Sequence, residues 1–115
     1  MDSILISIKK LLGIDSAYIH FDADIIMHIN SVFTILNQLG VGPKEGFMIV
    51  DDTTVWNDYL PTSQRLDFVK SYVYMKVRLM FDPPTSSALL ESTKQTISEL
   101  EWRIMVAVDP IEPTE

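Results

Sequence analysis

The side chains that could do chemistry are few and scattered. His20, Asp22, Asp24 and His28 form the one set with metal-like spacing. Asp24 and His28 sit one helical turn apart and could share a cation. A closed zinc site wants four well-placed ligands, usually cysteine or histidine, and the chain has no cysteine. Capping carboxylates and a satisfied histidine account for the same residues, so no metal is expected. Acidic pairs occur at Asp51-Asp52 and at Glu99 with Glu101. Paired-carboxylate catalysis needs a cleft that drives two pKa values apart. A turn and an exposed helical face offer none, and solvated surface is the expectation. The segment GVGPKEG has glycines and a lysine but lacks the GK[ST] ending of a phosphate loop. It also precedes a possible strand, where a phosphate loop would open a helix. No serine lies in a GxSxG context. The residues therefore point away from an enzyme and call for no cofactor.

Charge narrows the classes further. Nine basic residues face sixteen acidic ones, for a net charge of −7. Nucleic-acid affinity comes largely from lysine and arginine neutralising phosphates, so general DNA binding is not expected. Lys9 and Lys10 close a short apolar run, where they complement the negative end of a helix dipole; docking on an acidic partner is the functional alternative. The N-terminal MDSILISIKKLLG has its lysines after the apolar run and no cleavage site, unlike a signal peptide. No apolar run approaches a membrane span. Hydrophobic residues make up 47% of the chain, and the mean hydropathy is +0.16. For 115 residues that exceeds what a small core absorbs, and the surplus implies a partner surface.

The elements that must position these residues are helical. A first helix is expected from about Ser3 to Leu12, with Asp2 or Ser3 as cap and Gly13 as stop. In residues 20–42, Ile25, Ile29, Val32, Phe33, Leu36 and Leu39 draw one stripe down a second helix. Asp22 or Asp24 is its expected cap and Gly40 its end. FMIV and TTVW flank Asp51-Asp52, which suggests a β-hairpin at about 46–57, without the preferred turn glycine. Trp56, Tyr59 and Leu60 could anchor it. A third helix should start near Thr62 or Ser63, after Pro61, and end at Phe81. Its two stripes, Leu66, Val69, Val73, Val77, Met80 and Phe68, Tyr72, Met75, Leu79, make it either central or a bridge to another subunit. Asp82-Pro83-Pro84 must break it. A fourth helix is expected from Ser86 or Ser87 to about Met105, with Leu90, Thr93, Ile97, Leu100 and Ile104 as its seam. Glu99 and Arg103 stand in the favourable order for an ion pair. Pro110 and Pro113 keep the final stretch out of a helix.

The expected fold is thus all-α: a small bundle of four main helices with a short β-hairpin insertion over residues 1–105, then an extended C-terminal tail over 106–115. Phe47, Ile49, Val55, Trp56 and Tyr72 are the candidate subunit-interface residues. Among the large aromatics Trp56, Tyr59, Tyr72, Tyr74 and Trp102, one or two should mark an interface. In the tail, the alternation around Val106 and Val108 suits strand addition to a partner.

Residues 20–42, the GxGPxEGF turn at 40–47, the FDPPTSS linker at 81–87 and the ELEWR run at 99–103 together resemble the small head–tail connector proteins of long-tailed bacteriophages. The resemblance covers roughly residues 1–104 and rests on helix order and structural punctuation. It implies a virion neck protein, made in the bacterial host cytoplasm, that stacks on the portal protein as a closed ring of about twelve copies, a dodecamer. A tail-side stopper or tail-completion protein is the implied second partner. DNA is implied to touch the ring only by passing through its channel, where an acidic lining repels phosphates. The resemblance makes Met105, Val106, Val108 and Ile111 a portal-binding tail. The competing reading is a small helix-turn-helix regulator, with Lys70, Lys76 and Arg78 on the third helix as its basic residues.

Overall fold

The structure, a computed structural model, describes residues 3–60 and 64–108. Five helices form among them: α1 (Ile4–Leu11), α2 (Asp22–Gln38), α3 (Trp56–Tyr59), α4 (Gln64–Phe81) and α5 (Ser87–Val108). The all-α expectation holds. The start of the third expected helix at Pro61, Thr62 and Ser63 lies outside the described residues.

Several helix boundaries have a local cause. Ser3 caps α1, its hydroxyl accepting from the Ile6 N–H at 3.2 Å. Gly13, at φ +81°, then reverses the chain. The Gly13 N–H donates to the Lys10 carbonyl and the Ile14 N–H to the Lys9 carbonyl, a paired closure that satisfies two orphan carbonyls. Gly40, at φ +91°, closes α2 in the same way. The Gly40 N–H reaches Asn37 and the Val41 N–H reaches Leu36. The Ser86 hydroxyl accepts from the Leu89 N–H at the start of α5.

Helix α4 is the centre of the subunit, packed against α2 on one side and α5 on the other. That explains its two apolar stripes. Val69, Val73 and Val77 from one stripe and Tyr72 from the other are fully buried. The stripe edges, Met80 and Phe68, remain partly exposed. Buried Ile97 and Ile104 hold α5 against this layer. On the other side Ile25, Ile29, Val32, Phe33 and Leu36 of α2 and Ile4, Leu5 and Ile8 of α1 complete the core.

The expected β-hairpin at 46–57 does not form. FMIV and TTVW find different partners instead of each other. The Asn30 side chain of α2 grips Ile49, donating Nδ2–H to its carbonyl at 3.0 Å and accepting its N–H at 2.8 Å. One amide thus stands where a neighbouring strand would be. Thr54 and Val55 turn instead to the start of α1. The Ile4 N–H donates to the Thr54 carbonyl at 3.0 Å, and Ser3 and Val55 make an isolated bridge. Between the runs, the Asp51 carboxylate accepts from both the N–H and the hydroxyl of Thr53. These bonds hold its carboxyl below the ordinary value. They close a tight side-chain turn in place of a two-residue hairpin loop. The second run then coils into α3, where the Asp58 carboxylate accepts from the Val55 N–H.

The C-terminal boundary also moves. α5 continues to Val108, so Val106 is helical and the strand-like alternation read there is not adopted. No proline intervenes before Pro110, and buried Ile104 keeps the last turns attached. Residues 109–115, including Ile111, lie outside the described residues.

Trp56 is buried, and its indole N–H donates to the Ser7 hydroxyl at 2.8 Å. It joins an aromatic group in which the Phe33 and Tyr59 rings lie 4.4 Å apart. Truncation to alanine removes a buried ring and one hydrogen bond, although the Ser7 hydroxyl still donates to the Ile4 carbonyl. Trp56→Ala should therefore cost about 3–5 kcal/mol in denaturant unfolding. Unchanged stability would show that the indole does not fill the core.

Candidate interaction surface

The surface is built on a set of polar locks. The first joins α1, the 14–21 connector and α2. The Lys9 side chain is 0% exposed. Its ammonium donates to the Ser16 carbonyl at 3.1 Å and the Tyr18 carbonyl at 2.7 Å. The Asp22 carboxylate lies 2.7 Å away. Two hydrogen bonds and an ion pair serve the ammonium, the condition for burying it at tolerable cost. Lys9 is therefore neither dipole decoration nor a docking residue, and only Lys10 remains in solvent. Asp22 does not cap α2. Phe21 occupies the cap position, where its phenyl ring offers no acceptor, and the Asp22 carboxylate is turned to Lys9.

The two histidines of the metal-like set are drawn into ring packing, and Asp24 is exposed. His20 stacks edge-on against Phe21, and His28 faces Phe81. Among the described residues, no three His, Asp or Glu side chains converge on a point that could hold a metal ion.

A second lock ties α4 to α5. The buried Tyr72 hydroxyl donates to the Glu101 carboxylate at 2.7 Å. Desolvation, then the bond and the charge of Glu101, push the Tyr72 phenol well above its ordinary 10.0. Tyr59 is likewise pushed up by burial alone. Its ring presses on Gly42, where an added Cβ would stand 2.6 Å from Tyr59 Cε1. Gly42 is thus required by both this approach and its φ of +86°.

The expected interface residues divide. Ile49, Trp56 and Tyr72 are buried within the subunit, and Phe47 and Val55 are half-buried. Ile49, Trp56 and Tyr72 hold this chain together and present almost no surface to a neighbour. Met105 and Val106 of the expected portal tail are about half exposed on the last turns of α5. The Val108 side chain and Ile111 lie outside the described side chains.

The exposed apolar residues lie elsewhere. Met27 is 58% exposed, Met48 69% and Val50 78%. With Asn30, Ser31 and Ile49 they line a shallow groove of about 590 Å³ between α2 and the extended segment. Trp102 is 64% exposed on the outer face of α5. Sequence reasoning left Met27, Met48 and Val50 out of the interface set and held Trp102 only as one of five aromatics of which one or two should mark an interface. The signal was present: Met27 and Trp102 are large apolar residues that fall off the core stripes of their helices. Lys70, Lys76 and Arg78 of α4, by contrast, are partly covered. Lys70 sits 5.6 Å from the centre of the Trp56 ring, and Lys76 and Arg78 are half-buried. A helix packed on both flanks is poorly placed to enter a DNA groove. No helix of the described residues is long and apolar enough to cross a membrane.

Two expected outcomes follow from the locks. Asp22→Ala leaves a buried ammonium without its counter-charge. It should lower unfolding stability by about 2 kcal/mol, less than for a fully buried pair because Asp22 is partly exposed. Lys9→Met removes the charge but keeps most of the volume, and should cost less. Equal stability of Asp22→Ala and the parent would dismiss the lock. Alkaline titration probes the phenols. A proton held more tightly in the folded state makes stability fall as pH rises above the unfolded phenol value of 10.0. Tyrosinate absorbance from Tyr59 and Tyr72 should therefore appear together with loss of helical circular dichroism. Full ionisation of all four tyrosines with the fold intact would contradict their burial.

Comparison with known proteins gives one assignment. No curated protein and no solved structure matches the chain. The phage connector protein family matches residues 4–110, from the first turn of α1 to past the end of α5. The matched span holds all the helices, the polar locks and the exposed groove, and the chain belongs to this family of phage structural connectors.

Proposed function

We propose that the protein is a neck component of the virion that forms a closed ring between the portal vertex of the head and the tail. Family membership over residues 4–110 carries this reading. Two physical features support it. The subunit keeps large apolar side chains in solvent after its core is complete, as a protein made to associate does. Its net charge of −7 suits a channel through which DNA slides without sticking. About twelve copies stack on the portal, and a stopper or tail-completion protein meets the other face. The role is structural, with no catalytic step and no cofactor. The C-terminal end, from Val106 through Val108 to Ile111, is the portal-facing segment.

The decisive experiment images the protein with the portal protein of the same phage. A closed, symmetric layer on the portal is expected, with no measurable binding of free protein to a short duplex at moderate salt. Deleting residues 106–115 should leave a folded helical domain and weaken portal attachment by roughly tenfold or more. A protein that stays monomeric beside the portal, or binds duplex DNA tightly, would refute the neck assignment. Full attachment after the deletion would refute the docking tail alone.

A further inference from the structure

Helix α2 and the turn after it form an uncharged surface on an acidic protein. From Ile25 to Pro43 there is no Asp, Glu, Lys or Arg. The inner residues of that span build the core. The outer ones, Met27, Ser31 and Thr34, meet Met48 and Val50 at the groove. The groove has a fixed floor, because Asn30 clamps both backbone groups of Ile49. In an extended segment, neighbouring residues point their backbone groups to opposite sides. Met48 and Val50 therefore turn theirs away from Asn30, towards solvent.

A second uncharged strip runs along α5. Gln95, Ser98, Trp102 and Met105 follow one another at helical spacing and are all exposed. On one flank Glu99 and Arg103 neutralise each other, with Arg103 Nη2 2.8 Å from the Glu99 carboxylate. On the other, Glu101 is engaged by Tyr72, and the exposed Lys94 stands one turn before Ser98.

The two strips cannot meet within one chain. α4 lies between α2 and α5, and each strip is on the side of its helix turned away from α4. They are chemically unlike, one a groove and one a ridge carrying an indole. A contact between unlike surfaces of identical subunits is head-to-tail, and repeats around an axis. Charge selects the same pair. Copies that each carry −7 repel one another, and they approach at least cost where both faces are neutral.

Resting on the ring reading above, we propose that adjacent subunits join by seating Trp102 of α5 from one copy in the groove between α2 and residues 48–50 of the next. The indole covers Met27, Met48 and Val50, and Met105 packs at the rim. The occupant of the groove is thus a second copy of this chain.

Opposite charges placed on the two faces test the contact. Met27→Lys and Trp102→Glu should each shift ring assembly on the portal to roughly tenfold or more higher protein concentration. Helical circular dichroism and melting should stay as in the parent, since both side chains are exposed. The double variant should recover much of the loss, because lysine and glutamate then face each other across the contact. Rings from either single variant at the parent concentration would place the interface elsewhere and leave the ring standing. Single defects without recovery in the double variant would show that the two faces do not meet, and would also overturn the proposal. If the parent forms no ring on the portal, the neck reading fails and this contact with it. Trp102→Phe, which keeps an aromatic ridge, should assemble nearly as the parent does; a defect as large as that of Trp102→Glu, with the fold intact, would count against an apolar seat.

Discussion

The subunit depends on one buried cation. The Lys9 ammonium sits with no solvent exposure at the point where α1, the connector and α2 converge. An unpaired ammonium there would cost several kcal/mol. The chain must therefore bring two carbonyls and a carboxylate to it, and doing so fixes the path of residues 14–22. Ser16 and Tyr18 supply their carbonyls only if the connector wraps back over α1. Asp22 supplies its oxygen only if α2 starts there. Hydrophobic burial drives the helices together, but it would tolerate several directions of approach. The ion pair and its two hydrogen bonds select one.

A similar economy governs the segment between α2 and α4. An extended run needs partners for its backbone, and a hairpin would have provided them locally. Here the partners are dispersed: an asparagine on α2 for Ile49, the first turn of α1 for Thr54, and solvent for Met48 and Val50. Helices on one side and water on the other thus replace a sheet. The outer edge stays free and apolar, and it is this edge that makes the groove.

Much of the fold was legible because helix boundaries are local chemistry. Ser3, Gly13, Gly40 and the Asp82-Pro83-Pro84 break stood where periodicity required starts and stops, and the structure uses each of them. The two stripes of α4 correctly announced a helix with neighbours on two sides, though they could not say whether the second neighbour was α5 or another subunit. The failures are long-range. Nothing near Asn30 in sequence reveals that its amide will replace a strand, so two β-rich runs read as a hairpin. Asp22 has the sequence position of a cap, and only the arrival of Lys9 from thirteen positions away turns its carboxylate elsewhere. Lys9 itself read as a helix-end charge because burial is a tertiary property.

The candidate surface shows the same division from the other side. Phe47, Ile49, Val55 and Trp56 looked like interface material because an isolated hairpin cannot support itself and must dock on a helix or on the adjacent subunit. Without the hairpin, Ile49 and Trp56 turn inward and their alternates, Met48 and Val50, turn outward. Period-two alternation survives the loss of the hairpin, and only the assignment of faces changes. The same logic applies to α5, whose seam residues face α4 and whose off-seam Trp102 stands 64% exposed. A core stripe is determined by what the subunit must bury. What falls off the stripe, if large and apolar, is left over from folding. In a connector with like-charged copies, the surfaces left free by folding and also free of charge are the ones on which assembly can act.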